Sequence, residues 1–222
     1  MLKLIIGNKA YSSWSLRGWL AVKQSGLPFE ELVLPMYDAA WPERKTRPDL
    51  AVSNGKVPTL WDGPIAVWDS LAILDYLNDF TGNSRFWPKD KAARALARSI
   101  AAEMHSGFQA LRNSCSMNVR RIFTDRPSRT VLDDITRIAM LWTEARTRFG
   151  AAGPYLFGEF GAADIMFAPV IFRIRSYSLP VEAMARDYVE TMLDHPWMIE
   201  WVEEAKRESW LIPQYDGGPE YS

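Results

Sequence analysis

The spacing of apolar residues divides the chain into two textures. Over residues 1 to about 80, short apolar runs alternate with helical patterns. Leu2, Leu4 and Ile6 share one side of a predicted strand, and Ile5 helps cover the other. A Ser-rich turn follows. Leu16, Trp19, Leu20 and Lys23 then recur at helical spacing up to Gly26, a C-terminal stop with Pro28 just beyond. Phe29 to Leu34 reads as a second strand, joined to the first as a parallel pair by the helical crossover. Residues 36–56 are broken by Pro42 and Pro48 and predict an irregular segment with a short helix. Val57–Trp61 and Ile65–Trp68, on either side of Asp62-Gly63, predict a β-hairpin. Asp69-Ser70 can cap the next helix, whose Leu71, Leu74 and Leu77 face inward.

Past a linker containing Gly82, Asn83 and Pro88, every pattern is helical. Ala93 through Leu111 form one long inward stripe, and Val131 through Phe149 form another. Ala162 to Ser178 is apolar nearly all round, as in a helix at the centre of a bundle. Asp187–Leu193 and Pro196–Lys206 add further helices. The expected organisation is βαβ, then ββα, then an all-α bundle. The units run 1–80, with a linker at 81–89, and 90–222.

Composition narrows the function classes. Lys and Arg number 26 against 27 Asp and Glu, so no broad field favours nucleic acid or a membrane surface. Cys115 stands alone, which excludes an intramolecular disulfide framework and a cysteine-rich zinc site. The start, MLKLIIGNKAYSS, lacks the long apolar stretch of a signal peptide, and the most apolar segment is interrupted by Asp164, Pro169 and Arg173. A soluble, cytoplasmic protein is the simplest expectation. His105 and His195 have no metal-ligand pattern around them and read as packing or capping residues. No serine sits in a G-x-S-x-G elbow.

The candidate chemistry lies in a few short segments. Tyr11-Ser12-Ser13-Trp14-Ser15-Leu16-Arg17 puts hydroxyls where the first helix begins. A free thiol has a pKa of about 8.5, and both a hydroxyl donor and a helix N-terminus favour its thiolate. Serines in this place also serve simply as caps. Lys56-Val57-Pro58-Thr59-Leu60 precedes Asp69-Ser70, where free helix N–H groups can hold a carboxylate. In the helical half, Gly158-Glu159-Phe160-Gly161-Ala162-Ala163-Asp164-Ile165 has the form of half a capping box.

Taken together these segments resemble the cytosolic glutathione transferases, most closely the serine-type classes and among them the zeta class. The resemblance implies a thioredoxin-like N-terminal domain that binds glutathione and a helical domain that helps hold an electrophile. Ser12 matches the serine that contacts the glutathione sulfur, with Ser13 and Ser15 as rivals. Trp14 stands where zeta enzymes have cysteine, and the resemblance places it in the glutathione site. The resemblance implies a cis Val57–Pro58 bond beside the cysteinyl backbone, with Lys56 near the glycine carboxylate and Asp69-Ser70 on the γ-glutamyl end. Gln109 and Asn113 are expected near the tripeptide, and Arg173 or Arg175 near an electrophile's carboxylate. The family reading is a detoxifying homodimer that conjugates glutathione without a metal. Isomerisation of maleyl-type acids and a non-catalytic binding role on the same fold are the alternatives.

Overall fold

The computed structural model describes residues 1–83, 85–124 and 126–217, so residues 218–222 of the expected helical unit lie outside the described residues. Four strands form one mixed sheet in the order β2-β1-β3-β4. β1 (Leu2–Gly7) runs parallel to β2 (Phe29–Leu34) and antiparallel to β3 (Thr59–Asp62), which pairs antiparallel with β4 (Ile65–Val67). The alternation in β1 sorts as its spacing predicts. Leu2, Leu4 and Ile6 enter the main core, while Ile5 packs with Leu34 and Leu50 on the opposite face.

Helix α1 (Ser13–Ser25) begins at Ser12, whose side chain accepts from Ser15 N, and ends at Gly26 with φ of 70°. Short helices α2 (Trp41–Arg44) and α3 (Pro48–Ala51) occupy the irregular stretch. Asp69 caps α4 (Ser70–Phe80), which runs three residues past Leu77 before the linker begins. Gly18, in the middle of α1, sits where a Cβ would lie 2.7 Å from the Pro58 ring. Glycine inside a helix costs about 1 kcal/mol relative to alanine. Here it lets α1 lie directly against the Val57–Pro58 bend.

The remaining elements are helical: α5 (Lys91–Ser106), α6 (Gln109–Ser114), α7 (Arg129–Phe149), a 3₁₀ turn (Gly150–Ala152), α8 (Ala162–Ser176), α9 (Ala183–Leu193), α10 (Pro196–Arg207) and α11 (Pro213–Asp216). The stripe expected to run unbroken from Ala93 to Leu111 is two helices. Gly107 ends α5, and Phe108 takes φ of 60° before α6 begins. The apolar spacing continues across this break because Phe108 and Leu111 still bury their side chains. α9 starts four residues earlier than its apolar pattern indicates, and α11 is a single turn in a stretch with no helical spacing of its own. Among the described residues, no helix is long and apolar enough to cross a membrane.

The sheet layer and the bundle share one continuous core, from Leu4 and Leu16 through Phe167 to Trp201. Polar contacts fasten the same seam. Arg17 Nε donates to Met166 O at 2.8 Å, and Trp201 Nε1 donates to Lys9 O at 2.9 Å. Lys9, almost fully buried, pairs with Glu31 at 2.6 Å and with Glu204, and its ammonium lies 5.2 Å from the ring centres of both Trp19 and Trp201. Glu208 accepts the backbone N–H groups of Lys9 and Ala10, fixing the loop that leads to Ser12. In α8, buried Asp164 accepts from Gly161 N at 2.9 Å, Leu156 N at 3.1 Å and Tyr188 Oη at 2.8 Å. Asp164 thus supplies the half of the capping box that Gly161 leaves possible.

Candidate active site

A cleft of about 1100 Å³ opens between the sheet layer and the bundle. Three separate elements bring their ends to it: the start of α1, the bend before β3 and the start of α4. From the first come Ser12, Ser13 and Trp14; from the second Lys56, Val57 and Pro58; from the third Asp69 and Ser70. Gln109, Asn113 and Arg173 line it from the helical side.

The hydroxyls at the α1 start differ in their engagement. Ser12 Oγ donates to Ser15 Oγ at 2.8 Å and accepts from Ser15 N at 3.2 Å. Ser15 is fully buried, and its Oγ accepts Gly7 N at 2.9 Å. Ser15 therefore does not line the cleft; it ties α1 to β1 and orients Ser12. Ser13 lines the cleft and has no hydrogen-bond partner among the described residues. The Val57–Pro58 bond is cis. Ser70 Oγ is buried in the cleft wall without a partner among the described residues, at the N-terminus of α4, where unpaired N–H groups concentrate positive potential. Asp69 Oδ1 accepts Leu71 N at 2.8 Å, and its Oδ2 lies 3.5 Å from His105 Nε2. His105 is thus a cleft residue that also meets the edge of the Trp14 ring, and not merely a packing residue of α5.

The chain matches known proteins along most of its length. Residues 11–79 match the model of the glutathione S-transferase N-terminal domain. Over 173 residues the chain is 30% identical to glutathione S-transferase 1 of Dianthus caryophyllus, covering 76% of each protein. The chain belongs to the glutathione transferase family. It is also 26% identical over 200 residues to a probable maleylacetoacetate isomerase of Caenorhabditis elegans, covering 84% of this chain and 86% of that one. Its fold superposes on a Burkholderia glutathione transferase homolog solved with bound glutathione, with a TM-score of 0.67 at 21% identity over 92% and 97% of the two chains.

The inner wall of this glutathione-transferase cleft is cationic. Arg112 lines it beside Arg173, and Arg17 lies behind Trp14. The guanidinium groups of Arg17 and Arg112 lie 4.8 and 5.0 Å from the Trp14 ring. Arg173 is held by Nε donation to Cys115 O at 2.8 Å, and its Nη1 is buried without a partner among the described residues. Among the described residues both Nη atoms of fully buried Arg17 likewise have no partner. Burial, reinforced by repulsion from Arg112, lowers both Arg17 and Arg173, the latter to about 10. Arg112 is lowered by burial as well. The inner wall thus combines two lining cations, Arg112 and Arg173, with a third, Arg17, buried behind it.

Arg175, the other candidate for an electrophile's carboxylate, is outside the cleft. Its Nη2 donates to Val119 O at 2.9 Å, and its guanidinium lies over the Phe172 ring. Cys115 is buried, and desolvation pushes its thiol up to about 11, far from a nucleophile's range.

Three tyrosines line the wall, of which only Tyr11 stands in a motif legible in the sequence. Tyr11, Tyr37 and Tyr215 all line the cleft, with Tyr215 packed 5.9 Å from Tyr11 and 6.1 Å from Tyr37. Tyr11 Oη donates to Asp216 Oδ2 at 2.8 Å and accepts from Arg120 Nη2 at 2.6 Å. The α11 segment thereby closes one side of the cleft against the residue that precedes Ser12.

Proposed function

We infer that this protein conjugates the glutathione thiolate to small electrophiles, with the tripeptide in the cleft and its sulfur at the start of α1. The observation that carries this reading is the meeting of Ser12, Val57–Pro58 and Ser70 in one cleft. Ser70 Oγ and the free N–H groups of α4 suit the γ-glutamyl carboxylate. Asp69, beside His105, suits the γ-glutamyl ammonium. The Val57 backbone suits the cysteinyl unit, Lys56 the glycine carboxylate, and Gln109 and Asn113 the outer edge of the tripeptide. Ser12 turns its proton from Ser15 Oγ toward the sulfur, and Ser13 is the second hydroxyl within the same turn. Residues 1–80 then act as the glutathione-binding domain and residues from 90 onward as the substrate-binding domain. A homodimer working in cytoplasmic detoxification follows from the family resemblance.

A second reading concerns the electrophile. The positive inner wall, with Arg112 and Arg173 lining the cleft and Arg17 behind them, favours a substrate bearing a carboxylate. Isomerisation of a maleyl-type acid fits that charge, and the name of the Caenorhabditis elegans relative points the same way. Retention on immobilised glutathione, followed by turnover with neutral electrophiles and with a maleyl-type acid, tests both readings. Failure to bind glutathione overturns the first. Equal turnover of acidic and neutral electrophiles by wild type and Arg173→Gln overturns the second.

A further inference from the structure

Beyond the residues assigned to glutathione, the main cleft has a cationic end and an aromatic end. At the cationic end Arg112 lies over the Trp14 ring, 5.0 Å from its centre. Its Nε donates to Gly107 O at 2.8 Å, and its Nη2 donates to Met104 O and, at 3.2 Å, to His105 O. Its Nη1 makes no bond among the described residues and, in contrast to Nη1 of Arg173, is not sealed from solvent. Asp134, the acid that acts on Arg112 from α7, is committed to Leu111 N at 2.9 Å. Arg112 Nη1 is therefore a charged donor free to meet the anion of a ligand.

At the aromatic end Tyr37, Trp41 and Tyr215 line the cleft with Tyr11. Tyr37 stands 6.2 Å from Trp41 and 6.1 Å from Tyr215. Packing does not account for Tyr37. Its side chain is more than half exposed, and its φ of 61° lies in the left-handed region that bulky residues seldom adopt and that asparagine or glycine takes more readily. Strain of this kind collects at ligand sites. The two ends are tied together by a short segment. Cys115 O holds Arg173 Nε, and Val119 N donates to Ala10 O, so four residues of at most about 14 Å join the cationic end to the residue before Tyr11. Ser116 and Met117, on that segment, line the cleft. Ser12 stands between Tyr11 of the aromatic end and Trp14 beneath Arg112. A sulfur placed at Ser12 thus has a ring-binding surface on one side and a cation on the other.

Building on the conjugation reading above, we propose that the electrophile is an aryl-ketone acid of the aroylacrylate type, with its activated double bond between an aromatic ring and a carboxylate. The ring rests on Tyr37 and Tyr215, the carboxylate meets Arg112 Nη1, and the double bond lies over Ser12. A C–S bond forms at the alkene carbon β to the ketone, the π pair moves to the ketone oxygen as an enolate, and the carbon α to the ketone then takes a proton from water. Tyr37, Tyr215 and Arg112 are the residues that set this specificity.

Binding is read first without turnover, by calorimetric titration of the full chain with 3-benzoylpropionate (the saturated, unreactive acid), its ethyl ester, and 4-oxopentanoate, which lacks the ring. Each titration is run with and without S-methylglutathione. The aryl acid should bind at least about tenfold more tightly than the ester, as loss of a charge-assisted hydrogen bond implies, and at least about fivefold more tightly than 4-oxopentanoate. S-methylglutathione should not displace it. Arg112→Gln should erase the preference for acid over ester. Because Arg112 also closes the end of α5, Tyr37→Asn supplies a variant whose backbone suits its position: it should weaken the aryl acid about fivefold and leave 4-oxopentanoate unchanged. With glutathione, and relative to the uncatalysed rates, (E)-3-benzoylacrylate should show a higher kcat/KM than its ethyl ester. The proposal is overturned by equal affinity for acid and ester, by displacement of the acid by S-methylglutathione, or by a Tyr37→Asn variant that binds the aryl acid as wild type does. If S-methylglutathione fails to bind while the aryl acid binds as expected, the conjugation reading falls and the acid site stands.

Discussion

Removal of the Ser12 hydroxyl tests the proposed chemistry most directly. Ser12→Ala deletes one oxygen with two functions. As the α1 cap it accepts from Ser15 N at 3.2 Å, and its loss should cost about 1 kcal/mol of stability. As the proposed donor to the glutathione sulfur it makes a hydrogen bond to an anion, worth about 1.5–3 kcal/mol. Since about 1.4 kcal/mol corresponds to one pKa unit, the bound thiol should titrate about 1 to 2 units higher in the variant. Below the wild-type thiol pKa, turnover should fall about 10- to 100-fold, the loss shrinking as pH rises toward the new pKa, while glutathione affinity changes little, because Ser70 and Val57 remain. Ultraviolet thiolate absorption of the binary complex across pH gives the pKa, and initial rates of conjugation give the turnover. Ser13→Ala serves as the comparison, since Ser13 lines the same turn but caps nothing. An unchanged thiol pKa in Ser12→Ala, with the shift appearing in Ser13→Ala instead, would refute the assignment to Ser12.

Other perturbations probe the scaffold and the second substrate. Arg173→Gln should lower kcat/KM for a carboxylate-bearing electrophile about tenfold or more and leave a neutral one within about twofold, a split that steady-state kinetics will show. Burial pushes the Asp164 carboxyl up to about 6 despite its three donors, so the folded state holds this proton more tightly than the unfolded chain does. Its contribution to stability is therefore fullest below about pH 4 and declines as pH rises through about 4 to 6. Asp164→Asn should flatten that part of the stability–pH curve in urea titrations, and should cost about 2–3 kcal/mol by presenting an amide to N–H donors. Lys9→Met leaves Glu31 and Glu204 facing each other without their shared cation. With both glutamates partly exposed, a loss of about 2 kcal/mol is expected, read as a lower denaturation midpoint that high salt partly restores. Gly18→Ala drives a methyl into Pro58 at 2.7 Å, so KM for glutathione should rise despite the better helix propensity of alanine.

Where information is local, the sequence discloses it. β1, α1 and β2 follow from two-residue and helical periodicities, and Ser12, Gly26 and Asp69 are visible as caps because capping involves only the next few residues. The grouping of Ser12, Pro58 and Ser70 is legible through family resemblance, since three weak motifs in the right order have little other reason to coincide. What escapes is set by contacts distant along the chain. The sequence segments that contain Arg17 and Arg112 assign neither a role, and only the approach of α8 and α6 around Trp14 sets them together as a cationic wall, Arg17 fully buried and Arg112 half-buried. His105 follows a helix stripe, and its meeting with Asp69 depends on how α5 docks beside α4. The break at Gly107–Phe108 stays hidden because the apolar spacing runs through it. Ser15 could be separated from Ser12 only once Gly7 was seen to claim its oxygen.

The bond from Tyr11 to Asp216 joins positions 205 residues apart. Such a contact cannot begin to form until almost everything between its ends has been synthesised and brought close, and the entropy of closing so large a loop delays it further. The βαβ-ββα layer can assemble early with its serine turn in place, yet without the aromatic side wall that α11 supplies. Competence to retain a ligand should therefore arrive after most of the backbone is ordered, which makes ligand capture during refolding a clock for the last step of assembly and not the first.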